Sequence, residues 1–301
     1  MGLLPMEADI LPPSDDRVFK LILTSPEATQ ALMNLISCVI GRTVVDVVLL
    51  PNELAPGDTE EKAERFDVNC KIDDGSQVNL EMQASYMVED LDGQHRNLKG
   101  KSVYYLTDLH SSQPAKGLRR YDRLARSYQI TFCSYTIFPN TQDYVNSFSM
   151  RHNVTGELLS DAISVTFVEL SKLGEVVKKP VSDMTALDKW SVFFQYAPDL
   201  EHREIVNKVI ESEEVLQVAG NLLMSISKNE RERAIYRSRR KFQTDRQSDL
   251  ATAEDNGKQI GRAEEKIEIA RNALQMKMTV ADIVRLTGLT QAEVENLCKE
   301  I

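Results

Sequence analysis

Cysteine and histidine are scarce in this 301-residue chain, four of each. Cys38, Cys70, Cys133 and Cys298 are widely separated and form no CxxC pair. Neither a disulfide framework nor a zinc site is indicated. His95, His110, His152 and His202 show no metal-ligand spacing. No apolar run approaches the roughly 20 residues of a membrane span. The opening MGLLPMEADILPP lacks the basic start and apolar core of a signal peptide and the Ser or Thr of a myristoylation signal. The expectation is a cytoplasmic protein with no membrane partner. GxSxG, HExxH and GxGxxG are absent as well. Gly100-Lys101-Ser102 has the ending of a phosphate-binding loop, but that motif needs Gly at position 95, where His95 stands. Acyl-transfer hydrolases and dinucleotide enzymes are thereby disfavoured.

What is present is an ordinary globular composition, 42% hydrophobic and 27% charged, with a formal net charge of −10. That charge argues against a surface coated all over by nucleic acid, but two stretches are locally basic. Residues 116–126 hold five basic side chains and one acidic, including Arg119, Arg120, Arg123 and Arg126. Residues 228–246 hold eight basic and three acidic, including Arg237, Arg239 and Arg240. Each stretch reads either as a solvated helix face or as a phosphate-contacting surface.

Punctuation by Pro and Gly divides the chain. A short helix is expected over 16–23. Ser25-Pro26 opens a second, which Gly41 stops near Ile40. Residues 43–50 read as a strand and 51–64 as an exposed loop. A helix over 94–110 would take Leu98, Val103, Tyr104, Tyr105, Leu106 and Leu109 as its apolar side. Strands are expected over 127–138, 144–150 and 162–170. The mixture suggests helices on a central sheet. After Pro180 the chain turns helical, with the single Trp, Trp190, in a helix over 184–196 and long helices from 200 to 276. The end, 279–300, has two capping boxes around Thr287-Gly288-Leu289. That outline fits a DNA-binding helix-turn-helix and equally any pair of antiparallel helices.

The segment 65–83, RFDVNCKIDDGSQVNLEMQ, reads as two strands around Asp73-Asp74-Gly75. A three-residue loop with Gly75 left-handed pairs Cys70 with Val78, Val68 with Leu80 and Phe66 with Met82 on an apolar face. The other face then pairs Asn69 with Asn79, Asp67 with Glu81 and Arg65 with Gln83. Directly opposed side chains in a hairpin have Cβ atoms about 4.5–5.5 Å apart, so two carboxylates come side by side. Such a pair can share a proton, hold a hard divalent cation, or lie on a solvated face. The spacing alone leaves all three open.

Asp67 with Glu81-Met82-Gln83 resembles the core of the PD-(D/E)XK nucleases, specifically the transposase-like branch of recombination-promoting nucleases, in which Gln replaces the usual Lys. Asp16-Arg17-Val18-Phe19-Lys20 is similar to that branch's opening DxxFK. Lys101-Ser102-Val103-Tyr104-Tyr105 is similar to its Arg-Ser-x-Tyr-Tyr helix, with Lys for Arg. Gly117 with Tyr121, the strand at Gln129-Ile130, Glu169-Leu170-Ser171-Lys172 and Leu187-Asp188-Lys189-Trp190 follow in the family's order. The likeness runs from about residue 9 to the end.

The resemblance implies an α/β fold: a restriction-endonuclease-like core, a central mixed sheet flanked by helices, followed by a helical C-terminal region. Its expected divisions are a nuclease-like core over 1–180, a helical region packing on it over 181–250, and an extension with a helix-turn-helix-like pair over 251–301. It also implies Mg²⁺- or Mn²⁺-dependent hydrolysis of DNA phosphodiester bonds, linked to mobile elements and recombination. Asp67, Glu81 and the Met82 carbonyl would hold the metal, with Asp16 a further candidate. Gln83 would bond water or phosphate, and Lys101 would supply a cation. Two other readings stay open: a DNA-binding regulator with little or no catalysis, and a toxin-like phage-defence nuclease. Self-association is also left open.

Overall fold

The computed structural model describes residues 3–51, 67–84, 91–113 and 120–300; the side chains of 91–96 and 300 are left undescribed. The chain divides into two compact units, Met1–Tyr236 and Arg237–Ile301.

The first unit is built on a six-stranded sheet of order β1-β2-β3-β4-β6-β5. Its strands are β1 (Val47–Leu49), β2 (Val68–Ile72), β3 (Gln77–Gln83), β4 (Ser127–Cys133), β5 (Val145–Arg151) and β6 (Leu158–Glu169). β3, β4 and β6 run parallel, while β1–β2, β2–β3 and β5–β6 are antiparallel. The sheet is thus mixed, as expected. The strand expected over 43–50 is reduced to three residues, and that over 127–138 ends at Cys133. The last strand starts earlier than expected, at Leu158, where exposed Leu158 and Leu159 give no core signal.

Helices cover both faces. On one lie α1 (Asp16–Leu23), α2 (Thr29–Ile40), α4 (Ala186–Tyr196), α5 (Arg203–Ser212) and α6 (Glu214–Lys228). Val68, Val78, Leu80, Met82, Ile130 and Phe132 meet Phe19, Trp190 and Phe194 there in the main core. Glu169-Leu170-Ser171-Lys172 and Leu187-Asp188-Lys189-Trp190 serve this frame. Glu169, fully buried, accepts from the Phe138 amide at 3.0 Å, Asn146 at 2.6 Å and Lys172 at 2.8 Å, which fixes the chain after β4. Asp188 completes a capping box with Thr185, and the Trp190 indole donates to Asn34 at 2.7 Å.

On the opposite face α3 (Leu91–Ser111) lies against β3, β4 and β6. Its buried stripe is Leu98, Ser102, Leu106 and Leu109, spaced four, four and three. The expected apolar side differs: Val103 and Tyr104 point to solvent.

The second unit begins within α7 (Glu230–Gln275), a 46-residue helix about 69 Å long at 1.5 Å per residue. Its end packs on α8 (Val280–Thr287) and α9 (Gln291–Glu300) through Ala270, Ala273, Ile283, Val294 and Leu297. Gly288, with φ +68°, makes the turn, and Thr290 and Glu293 cap each other at 2.7 and 3.3 Å. Every buried residue of the main sheet core lies before residue 237. Removing 237–301 should therefore leave the first unit folded. Its Tm should stay within about 4 °C of the full chain's transition, the shift that about 1 kcal/mol causes at this size. Loss of the cooperative transition would show that the second unit is needed for folding.

Candidate metal centre

The loop chemistry sets the register of the β2–β3 hairpin. Gly75 takes φ +86°, its amide donates to the Ile72 carbonyl at 2.8 Å, and the Ile72 amide donates to Ser76 at 2.9 Å. The loop is the three-residue one, and Val68 faces Leu80, Asn69 faces Asn79 and Cys70 faces Val78. Continued one step, the register sets Asp67 against Glu81. The outer pairs with Phe66 and Arg65 lie outside the described residues.

Asp67 and Glu81 interlock. The Met82 amide donates to Asp67 Oδ2 at 2.9 Å, and the Asp67 amide donates to Glu81 Oε1 at 3.3 Å. A solvated face is excluded, since Glu81 is 2% exposed, and Asn69 and Asn79 are buried beside it. What covers this face is α3, and Lys101 reaches in from it to donate to Glu81 Oε2 at 2.9 Å. Gln83 Nε2 reaches the same oxygen at 3.3 Å, and Asn79 Nδ2 reaches Oε1 at 3.3 Å. Among the described residues Glu81 thus accepts from the Asp67 amide, Lys101, Gln83 and Asn79, and the Asp67 carboxylate from the Met82 amide.

The electrostatics follow. Burial and the nearby Glu81 push the Asp67 carboxyl up to about 8; the Met82 amide opposes this, Asp16 adds to it, and Lys101 opposes it. Burial pulls the Lys101 ammonium down, but Glu81 outweighs it and holds the lysine above its ordinary value. The pair is short of positive charge. Asp16 sits at the start of α1, near enough to act on Asp67, but it is not the helix cap. That role belongs to Asp15, which accepts from the Arg17 and Val18 amides at 3.0 and 3.2 Å.

These side chains stand at the carboxyl end of β3, where parallel strands of α/β sheets place ligands. The structure does not bring the described part of the basic stretch, residues 120–126, to that end. Arg126 is bonded through its carbonyl to the Gln77 amide, at the start of β3, about 13 Å along the strand from Glu81 at 3.3 Å per residue. Arg126 and Arg120 are ion-paired with Asp161 and Asp122, Arg123 is exposed, and Arg119 lies outside the described residues. Arg237 and Arg240 are exposed on α7, and Arg239 is half-buried.

A family model described as PD-(D/E)XK nuclease family transposase matches residues 13–253. This chain belongs to that family. A second model, Rpn/YhgA-like nuclease family, C-terminal HTH domain, matches residues 263–299, so the paired helices at the end are a helix-turn-helix. No curated protein and no solved structure matches the chain. No described helix is long and apolar enough to cross a membrane.

Among the described residues no cluster of three or more His, Cys, Asp or Glu could hold a metal ion. The family's cation nevertheless fits the oxygen donors that are there. Mg²⁺ is commonly held by only one or two carboxylates, with waters and substrate phosphates completing its shell. Asp67 and Glu81 meet that need, and their deficit of positive charge is what a cation would relieve. Sequence reasoning passed over Asn79 and Gln129 as site residues. The signal available was a polar side chain at alternate positions of two strands that otherwise read as core.

Proposed function

We propose that the chain is a metal-dependent DNA endonuclease, with Asp67 and Glu81 holding Mg²⁺ or Mn²⁺ and the Met82 carbonyl as a further ligand. The observation that carries this is the buried carboxylate pair at the end of β3, interlocked through backbone amides and faced by Lys101, in a chain of a nuclease family. When bound, the cation lowers the pKa of a water and offsets charge on the phosphate.

The chain's own groups supply the remainder. Asp67 and Glu81 are held to one geometry by the hairpin. Lys101, on α3, offers its ammonium to a phosphate oxygen and fills the place of the missing motif lysine. Gln83, which cannot carry charge, orients a water by hydrogen bonding. The absence of a lysine at position 83 does not favour an inactive regulator, because Lys101 brings a cation to the same carboxylate. The helix-turn-helix and the basic start of α7, with Arg237, Arg239 and Arg240, supply duplex binding, and Arg119, Arg120, Arg123 and Arg126 are further candidates for phosphate contact. We assign the chemistry to residues 1–180, its helical support to 181–250 and the helical extension with the helix-turn-helix to 251–301.

The test is a plasmid-cleavage assay with Mg²⁺, with EDTA and with Asp67→Ala. Nicking should require Mg²⁺ and fall to the EDTA background in the variant. Cleavage that survives both would place the chemistry elsewhere.

A further inference from the structure

On the face of the sheet under α3, the row leading to Glu81 is polar although it is sealed from water. Asn79 is 0% exposed, Gln129 1% and Thr131 0%. Gln129 Nε2 donates to Thr131 Oγ1 at 3.2 Å, and Gln129 Oε1 accepts from Asn79 Nδ2 at 2.8 Å. The same Asn79 nitrogen donates to Glu81 Oε1 at 3.3 Å. Both Asn79 amide hydrogens are thereby used, one on Gln129 and one on the carboxylate. The orientation is forced, since a flipped amide would set Oδ1 against two acceptor oxygens. As it stands, Asn79 Oδ1 is buried with no hydrogen-bond partner.

Apolar side chains would fill this space at less cost, because half-satisfied buried polar networks destabilise relative to apolar cores. On the same face Cys133, Val165 and Phe167 are apolar and buried. The bonded row runs from Thr131 through Gln129 and Asn79 to Glu81; Ser127, also buried on this face, is bonded instead to His110 and Gln113. A hydrogen-bonded partner behind a metal-ligating group fixes its orientation and tunes its affinity.

We infer that Gln129 is a positioning residue: acting through Asn79, it fixes the plane of the Glu81 carboxylate so that Oε2 faces Lys101 and the cation. This rests on the reading of Asp67 and Glu81 as the cation-holding pair.

The experiment uses the full chain and Mn²⁺, with bound ion counted by electron paramagnetic resonance, beside melts without metal. Gln129→Leu keeps the bulk and removes the amide. Its metal-free Tm should fall by at most about 10 °C, because one buried Asn79 amide hydrogen loses its acceptor, while its Mn²⁺ affinity should fall roughly tenfold, the lower end of what loss of such a partner produces. A merely structural role would lower the Tm and leave the affinity. Asn79→Ala should weaken Mn²⁺ similarly, and the double variant no further, because both act on one oxygen. If Gln129→Leu does not fold, Gln129→Met carries the same comparison. Wild-type affinity in the folded Gln129 variant, or additive losses in the double variant, would overturn the inference and leave the pair's role intact. Absence of Asp67-dependent Mn²⁺ binding in the wild type would overturn the reading beneath it, and the inference with it.

Discussion

Without metal, the protein should lose stability as pH rises from about 4 to about 8, and Asp67→Asn should remove most of that slope. The direction is the reverse of the usual Asp case. Asp67 titrates near 8 in the folded chain because burial and Glu81 disfavour its anion, whereas an unfolded Asp titrates near 3.9. Between these values the folded state holds a proton that the unfolded state has lost. Stability therefore declines with rising pH. The contribution is most favourable below about 4 and fully lost above about 8. Other carboxylates act in a different window. Burial pushes Asp188 up, but the Tyr144 hydroxyl, the Thr185 amide and Lys179 outweigh it. Arg17 holds Glu232 low from across a two-pronged contact at 2.6 and 2.9 Å. Their support fades only below the ordinary carboxylate range, and it is common to wild type and variant. Denaturant unfolding in EDTA at intervals from pH 4.5 to 9 isolates the Asp67 part by subtraction. A flat difference between wild type and Asp67→Asn would mean that burial and Glu81 do not raise the Asp67 carboxyl.

How much of this site could be read in advance depended on how local its determinants are. The hairpin register follows from Asp73-Asp74-Gly75 and from the parity of Val68, Cys70, Val78 and Leu80. All of these lie within a dozen residues, so the opposition of Asp67 and Glu81 was legible. Burial of that polar face was not. It depends on α3, whose packing stripe includes Ser102 while Val103 and Tyr104 turn outward, so hydrophobicity alone misassigns the face. The distance between Arg126 and Glu81 was equally hidden. A parallel β3–β4 register joins residues some 50 apart, and nothing local specifies which ends meet. The long α7 was legible from its lack of Pro, although it contains Gly257 and Gly261, each costing about 1 kcal/mol against Ala in a helix interior. Its polar sequence alone gave no hint that its last turns join α8 and α9. That hint came from the paired caps at Thr279 and Thr290, which are short-range signals again.

Adding Mg²⁺ should raise the wild-type melting temperature and leave that of Asp67→Ala unchanged, with the order of the two proteins inverting between the conditions. The inversion is the informative part. Above pH 8 the metal-free wild type holds the buried Asp67 anion against the nearby Glu81, to which Lys101 is bonded. Removing the Asp67 carboxylate relieves that repulsion, at the expense of one hydrogen bond from the Met82 amide. Such a bond contributes about 0.5–1.5 kcal/mol, or up to about 3 when its acceptor is charged. Burial and the neighbouring Glu81 both disfavour the Asp67 anion, so in EDTA above pH 8 the variant should melt at or above wild type. A cation that binds only the folded state adds about 2.7 kcal/mol at one hundred times its Kd. In a unit of this size that is a rise of roughly 5–10 °C. The variant, left with one carboxylate of the pair, and that one ion-paired with Lys101, should hold the ion too weakly to respond. Glu81→Gln should also fail to respond, and its nicking should fall to background. Equal shifts in wild type and both variants would show that Mg²⁺ binds away from this pair. A variant that melts well below wild type in EDTA would show that the carboxylates stabilise the hairpin rather than await a cation.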